Sequence, residues 1–106
     1  MRNAINRVVQ TLHPRHIHIG HDEAMVMNRD KRCTSRGLTN AELFVEDVTR
    51  MNDYAKAADP NVRLMMWNDM INPWQNAPSV HLETAAQNIP RDIIMCGWYY
   101  GYPYNN

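Results

Sequence analysis

The sequence predicts an α/β fold in which parallel strands alternate with helices. Apolar residues recur at helical spacing near the N-terminus and again from 39 to 58. Short apolar segments of strand length follow each of these helices, at 16–19 and 62–67, and a third occurs at 92–98. Strands separated by helices normally run parallel and are joined by right-handed crossovers.

The first helix and strand are predicted from two different periodicities. Four apolar side chains form one stripe over residues 3–12, which predicts a helix: Ile5, Val8, Val9 and Leu12. His13-Pro14 ends this helix, because the residue before a proline avoids the helical region. Residues 16–19 then alternate, with two isoleucines on one face and two histidines on the other, and Gly20 ends the strand.

A polar loop over 21–38 leads to the second predicted helix. Thr39 and Glu42 have the spacing of a capping box, which is a strong helix start. The segment Asp59-Pro60-Asn61 breaks the helix after about Ala58. Between these limits the apolar residues are three or four positions apart: Phe44, Val48, Met51, Ala55 and Ala58.

Two further strands complete the pattern. Residues 62–67 are nearly all apolar, as expected for a strand covered on both faces, with Arg63 near its start. A loop over 68–78 and a short helix over 79–87 are expected next, followed by a third strand from Asp92 to Trp98. The predicted order is therefore helix, strand, repeated three times.

The length of the chain limits this fold. A closed eight-stranded barrel takes about 250 residues, whereas three strands are predicted in 106 residues. The outer strands of such a piece would have open apolar edges. We therefore expect residues 1–106 to be an internal piece of one (β/α)8 TIM barrel, and a small stand-alone three-layer domain is the alternative.

Composition narrows the classes of partner. Acidic and basic side chains balance at 11 each, which argues against a nucleic-acid partner. No apolar run is long enough to cross a bilayer, and the first residues lack the apolar core of a signal peptide. We therefore expect a cytoplasmic protein with no membrane partner, and the sequence leaves its oligomeric state open. Cys33 and Cys96 are expected to be reduced thiols.

Two adjacent carboxylates carry the chemical signal. Asp22 and Glu23 come just after a strand and Gly20, where parallel α/β folds place their sites. The carboxyl pair of an ordinary retaining glycosidase lies about 5–5.5 Å apart across the sugar. Neighbouring residues on an extended chain aim in different directions. If the site cleaves sugars, one carboxylate should donate the proton while the other holds a reacting group of the substrate.

Two tryptophans stand at the same register as this acidic pair. Trp67 and Trp98 end the second and third predicted strands. Aromatic planes suit the apolar faces of sugar rings, although core packing explains either tryptophan alone about as well. Asp69 and Tyr100 could supply polar contacts in a pocket shared by these residues.

Three segments together resemble one enzyme family. His18-Ile19-Gly20-His21-Asp22-Glu23 resembles the His-x-Gly-Gly-Asp-Glu signature of family 20 glycoside hydrolases, the β-N-acetylhexosaminidases. Residues 66–70, Met-Trp-Asn-Asp-Met, are similar to the Trp-Asp-Asp-Met segment of the hexosaminidase D-like branch, and residues 93–100 to a later strand ending Trp-x-Tyr. His21 replaces the second glycine of the signature, Asn68 stands where an acid is common, and the substrate-binding arginine near the first strand is absent.

The resemblance implies strands four to six of the barrel and a retaining, substrate-assisted removal of terminal β-linked N-acetylhexosamine, without a metal or cofactor. Glu23 would be the general acid and then the base, and Asp22 would orient the acetamido group and stabilise the positive charge. Five residues would bind the sugar: His18, Trp67, Asp69, Trp98 and Tyr100. The isolated fragment is expected to be inactive.

Two other functions stay open at this point. The dense set of potential ligands at one strand end suits a metal-dependent hydrolase: His16, His18, His21, Asp22 and Glu23. Further ligands would have to come from elsewhere, and His13, Asp69 and His81 show no clear spacing. The chain could also be a non-catalytic carbohydrate-binding fragment whose aromatic residues only stack on sugars.

Overall fold

Three parallel strands form one sheet in the structure, a computed structural model that describes residues 2–98. The strands are β1 (His16–His18), β2 (Arg63–Trp67) and β3 (Ile94–Cys96), and their order in the sheet follows the chain. The predicted α/β class with three parallel strands is confirmed. All three strands are shorter than predicted, by one residue for β1 and β2 and by four for β3.

The two long helices also lie where the sequence predicts them. Helix α1 spans Arg2–Leu12, a short helix α2 spans Lys31–Thr34, and α3 spans Asn40–Ala58. The capping box is formed, since Thr39 Oγ1 accepts from the Glu42 N–H at 3.1 Å and Glu42 Oε2 accepts from the Thr39 N–H at 3.1 Å. None of the helices in the described range 2–98 has both the length and the apolar character that crossing a membrane requires.

The segment between β2 and β3 differs from the prediction. The helix expected over 79–87 is absent, and three short 3₁₀ helices occur instead, at Asp69–Ile71, Ala77–Val80 and Ala85–Asn88. His81 interrupts the expected helix because its backbone adopts the left-handed conformation, with φ of 60°. Helix α2 was not predicted; it begins where Asp30 Oδ1 accepts a hydrogen bond from the Arg32 N–H at 2.8 Å.

The sheet has one covered face and one open face. Leu64 and Met66 of β2 are fully buried on the helix side, whereas Met65 and Trp67 between and after them are only half-buried. Partners in a parallel register face the same side, so Ile17 of β1 and Met95 of β3 share the side of Leu64 and Met66, although Met95 on the outer strand is 38% exposed. The open face consists of His16, His18, Arg63, Met65, Trp67, Ile94 and Cys96. The prediction that β2 is covered on both faces is therefore wrong for the described residues.

The hydrophobic core lies between the covered face and the two long helices. Four predicted core positions of α3 are buried: Phe44, Val48, Met51 and Ala55. Of the predicted stripe on α1, Ile5 and Val9 are buried, but Val8 and Leu12 are 38% and 71% exposed. Helix α1 packs mainly against α3, so only one edge of its apolar stripe is covered.

Two matched substitutions test this core. Leu64→Ala removes a fully buried side chain, and we expect it to lower the free energy of unfolding by about 2–5 kcal/mol. Leu12→Ala makes the same chemical change at an exposed site, and we expect a change within about 0.5 kcal/mol. Urea unfolding followed by circular dichroism measures both, and equal losses of stability would contradict the packing described here.

Candidate active site

The turn after β1 has an unusual backbone. Gly20, His21 and Glu23 have φ values of 76°, 67° and 46°, all in the left-handed region. Glycine adopts this region freely, whereas another residue loses about 1–2 kcal/mol there. His21 stands at the second glycine of the signature that the sequence resembles, and its backbone has a conformation that suits glycine. We call residues 20–23 the acidic turn, because Asp22 and Glu23 lie in it.

A buried carboxylate joins the acidic turn to the ends of the other two strands. Asp69, just after β2, is 0% exposed. Its Oδ2 accepts the Glu23 main-chain N–H at 3.0 Å and the side-chain amide of Asn76 at 2.8 Å. Its Oδ1 accepts the indole N–H of Trp98 at 3.2 Å. We call these four residues the Asp69 hub.

The Asp69 hub explains how a carboxylate is tolerated in the interior. Removing an ionised carboxylate from water is costly unless donors replace the lost hydration. No lysine, arginine or histidine forms an ion pair with Asp69 among residues 2–98. Three N–H donors replace the hydration of Asp69, and its carboxylate has no exposed surface at which a ligand could bind. The sequence placed Asp69 among the substrate-binding residues, whereas in the structure its contacts are with the protein itself.

Backbone hydrogen bonds align the same strand ends. The Trp67 N–H donates to the Gly20 carbonyl at 3.0 Å, which continues the pairing of β1 with β2 into the acidic turn. The Asn68 N–H donates to the Cys96 carbonyl at 2.9 Å, which does the same for β2 and β3. The residues that follow the three strands therefore meet at one edge of the sheet.

His18 and Trp67 form an aromatic pair on the open face. Their ring centroids are 4.8 Å apart and the ring planes are tilted by 55°. His18 Nδ1 accepts the Gly20 N–H at 3.0 Å, so the proton of the neutral ring is carried by Nε2. The ring is thereby fixed against Trp67 with an N–H donor still available on its other nitrogen.

The carboxylates of Asp22 and Glu23 are on the surface. Both residues are exposed, and neither side chain accepts a hydrogen bond from the part of the chain that the structure describes. Trp98 is half-buried and is connected to Glu23 through Asp69. Tyr100, the remaining predicted contact, lies outside the described residues.

His21 points away from the open face. Its Nε2 lies 2.6 Å from Asp47 Oδ2 and its Nδ1 lies 3.0 Å from the Ile19 carbonyl oxygen, while its ring meets the edge of Phe44. Burial lowers the pKa of His21. The hydrogen bonds to Asp47 and Ile19 and the charges of Asp47 and Asp22 raise it by more, so the pKa lies above the ordinary value for histidine. The hydrogen bond from His21 holds the pKa of Asp47 below its ordinary value.

The potential metal ligands do not converge. His18 contacts Trp67 on the open face, whereas His21 contacts Asp47 and Phe44 on α3. Within residues 2–98 no three side chains of histidine, cysteine, aspartate or glutamate are placed to hold a metal ion. This geometry gives no support to the metal-dependent alternative.

A cavity of about 670 Å³ lies on the helix side of the acidic turn. Apolar side chains of the loop and of α3 line it, including Met27, Leu43 and Phe44, together with His21 and Asp47. None of the three tryptophans lines this cavity. The cavity is therefore separate from the described candidates for sugar binding, which are His18, Trp67, Asp69 and Trp98.

Sequence reasoning did not find the residues that support the site. Asn76 lies in a loop, and Asp47 lies on α3, 26 positions after His21. Neither residue has a local pattern that indicates its partner. The tertiary contacts alone identify them.

Comparisons of the chain with models of protein families, with curated proteins and with solved structures gave no match. The case for a function therefore depends on the residues and their geometry.

Asp69→Asn tests the Asp69 hub. Asparagine has one acceptor where the carboxylate serves three donors, so at least one buried donor loses its partner. We expect a loss of about 1–3 kcal/mol in the free energy of unfolding. We also expect faster hydrogen exchange at the Glu23 amide, and a shifted indole N–H resonance for Trp98. Asp53→Asn, at an exposed position of α3, is the control. Unchanged exchange at Glu23 in Asp69→Asn would contradict the hub.

Asp47→Asn tests the His21–Asp47 pair through pH. The contribution of His21 is complete below about pH 6.5 and is lost as the pH rises through its raised folded pKa. The contribution of Asp47 is complete above about pH 3.9 and is lost as the pH falls through its lowered folded pKa. The stability difference between parent and variant should therefore be largest between about pH 4 and 6.5 and shrink toward pH 9.

The size of that difference should be below about 1 kcal/mol, because Asp47 is largely exposed and solvent screens the pair. Urea unfolding at a series of pH values measures it. Asp53→Asn should show a flat difference over the same range. A difference for Asp47→Asn that grows toward alkaline pH would contradict the assigned pair.

Proposed function

We propose that the chain belongs to the catalytic barrel of a β-N-acetylhexosaminidase-type glycoside hydrolase, and that this enzyme removes terminal β-linked N-acetylhexosamine. One observation carries the proposal. The acidic turn, the His18–Trp67 pair and Trp98 all lie at the carboxyl edge of one parallel sheet, and the Asp69 hub joins the acidic turn to Trp98. Parallel α/β folds place their active sites at this edge.

The arrangement of the sheet supports a barrel. The strand order follows the chain, so right-handed crossovers place every connecting helix on the same face. Barrels have this arrangement, whereas doubly wound sheets carry helices on both faces. The exposed Val8 and Leu12 of α1 form an apolar surface that further barrel elements would cover, and the open face of the sheet would line the barrel interior. On this proposal the chain contributes approximately strands four to six.

The chemistry follows from the adjacency of the two carboxylates. In the first step the acetamido oxygen of the substrate attacks the anomeric carbon while Glu23 gives its proton to the leaving oxygen. The bond to the aglycone breaks and a cyclic oxazolinium ion forms. In the second step Glu23 takes a proton from water, which attacks the anomeric carbon and opens the ring. Asp22 orients the acetamido N–H and stabilises the positive charge throughout, so the neighbouring acids have different tasks.

The surrounding residues bind and orient the sugar. Trp67 and Trp98 wall the site, and the Nε2–H of His18 is available to a sugar hydroxyl. Tyr100 would donate a hydrogen bond to the acetamido group. The Asp69 hub holds the main chain of Glu23, so that the catalytic acid starts from a fixed backbone position. This scheme needs neither a metal nor a cofactor.

Glu23→Gln in the full-length polypeptide tests the proposed acid. With the 4-nitrophenyl N-acetyl-β-glucosaminide or galactosaminide as substrate, we expect the rate of 4-nitrophenol release to fall by a factor of about 100 or more, because glutamine cannot donate the proton. Glu83→Gln makes the same chemical change at another exposed glutamate and should leave the rate unchanged. Equal rates for parent and Glu23→Gln would reject the proposed role.

A second substrate tests the internal nucleophile. The 4-nitrophenyl β-glucoside lacks the acetamido group that attacks the anomeric carbon. We expect no measurable hydrolysis of this compound by the parent, whereas a two-carboxylate mechanism would cleave both substrates. Sugar binding without hydrolysis of either compound would instead favour the non-catalytic carbohydrate-binding alternative.

A further inference from the structure

We propose that His21 is a positioning residue that holds the acidic turn against α3 as a doubly protonated imidazolium. This inference rests on the proposed function for its catalytic consequence. The hydrogen-bonding geometry that supports it does not depend on that function. The signature that the sequence resembles has a glycine at this position. Glycine has no side chain, so this contact with α3 depends on the histidine of this chain.

The two contacts of the ring determine its protonation. Nε2 faces Asp47 Oδ2 at 2.6 Å and Nδ1 faces the Ile19 carbonyl oxygen at 3.0 Å. A carbonyl and a carboxylate are both acceptors, so each ring nitrogen must carry a hydrogen for both contacts to be hydrogen bonds. A neutral ring has one N–H and would lose one of the two. The observed arrangement therefore corresponds to the charged form of His21.

The charged groups around His21 favour a positive charge on its ring. They come from the acidic turn, from α3 and from the loop that lines the neighbouring cavity: Asp22, Glu23, Glu46, Asp47, Arg50, Arg29, Asp30 and Arg36, with the thiol of Cys33. Arg36 and Arg50 both pair with Glu46, and Asp30 pairs with Arg32. Asp47 is the acid in direct contact with the ring.

The two hydrogen bonds of the His21 ring, to Asp47 and to the Ile19 carbonyl, form what we call the His21 clamp. This clamp offsets the strain of the acidic turn. His21 and Glu23 adopt the left-handed conformation that non-glycine residues resist. The side chain of His21 is 13% exposed and its ring packs on Phe44, so it holds the turn at its start, while Asp69 holds the Glu23 amide at its end. Asp22 lies between these two attachments. Loss of the proton from His21 would remove one of the two hydrogen bonds of the ring and its charge attraction to Asp47, which would loosen the position of both acids.

Ring nitrogen shifts in the ¹⁵N-labelled protein test the clamp without any assay of activity. At pH 6 both nitrogens of His21 should be protonated in the parent, and the Asp22 and Glu23 amide resonances should titrate with the same midpoint as the ring. In Asp47→Asn that shared midpoint should move toward the ordinary histidine value of about 6.5. Asp53→Asn should leave it in place. A single protonated nitrogen at pH 6, or amides that do not follow the ring, would overturn the proposal.

Kinetics of the full-length enzyme test the catalytic consequence. The kcat of the parent should decline on the alkaline side as His21 loses its proton, and this decline should begin at lower pH in Asp47→Asn. In His21→Gln the decline should be absent and kcat should be lower by a factor of about 10–100, with KM little changed. His21→Gly keeps the turn conformation and lacks the clamp, so it should resemble His21→Gln rather than the parent.

The two sets of measurements separate the two proposals. An inactive parent whose His21 nitrogens are both protonated would reject the proposed function and retain the clamp. An active parent whose kcat is unaffected by His21→Gly and Asp47→Asn would retain the function and reject the positioning role. Because Asp47 is exposed on α3, Asp47→Asn should fold even where His21→Gln does not.

Discussion

The structure of the candidate site depends on one buried carboxylate. Asp69 has no cationic partner among residues 2–98, so its charge must be balanced by hydrogen bonds. Those hydrogen bonds come from the acidic turn after β1, from the loop after β2 and from Trp98 after β3. Satisfying one interior group therefore fixes the relative positions of all three strand ends, and the residues proposed to act on a sugar are placed by this requirement.

The acidic turn is the segment that the Asp69 hub holds in place. Its backbone is strained at His21 and Glu23, and a strained segment persists only where its surroundings hold it. Asp69 holds the Glu23 amide from the sheet edge and Asp47 holds His21 from α3. The two attachments come from different elements, since Asp69 follows β2 and Asp47 lies on α3. Neither attachment involves the side chain of Asp22 or of Glu23, and both side chains stay exposed.

Within residues 2–98, sequence patterns predicted the main helices and strands but not the contacts that form the site. Periodicity predicted α1, α3 and the three strands, because apolar spacing records which side of an element is buried. It failed at 79–87, where His81 leaves the helical region, and it gave β2 two covered faces where one is open. Their positions at the ends of the predicted strands led to the prediction that Asp22, Glu23, Trp67 and Trp98 share one edge. The same reasoning offered Asp69 as a polar contact to substrate, whereas the hub around Asp69 follows from long-range packing that no local pattern encodes.

The most direct test of the account is a titration of the labelled protein with the thiazoline analogue of N-acetylglucosamine, a stable mimic of the oxazolinium ion. We expect shifts at the Asp22 and Glu23 amides and at the indole N–H groups of Trp67 and Trp98. Trp74, which is 89% exposed and outside the Asp69 hub, should not move. Shifts confined to Trp74 or to the cavity beside α3, with the acidic turn unaffected, would contradict the account.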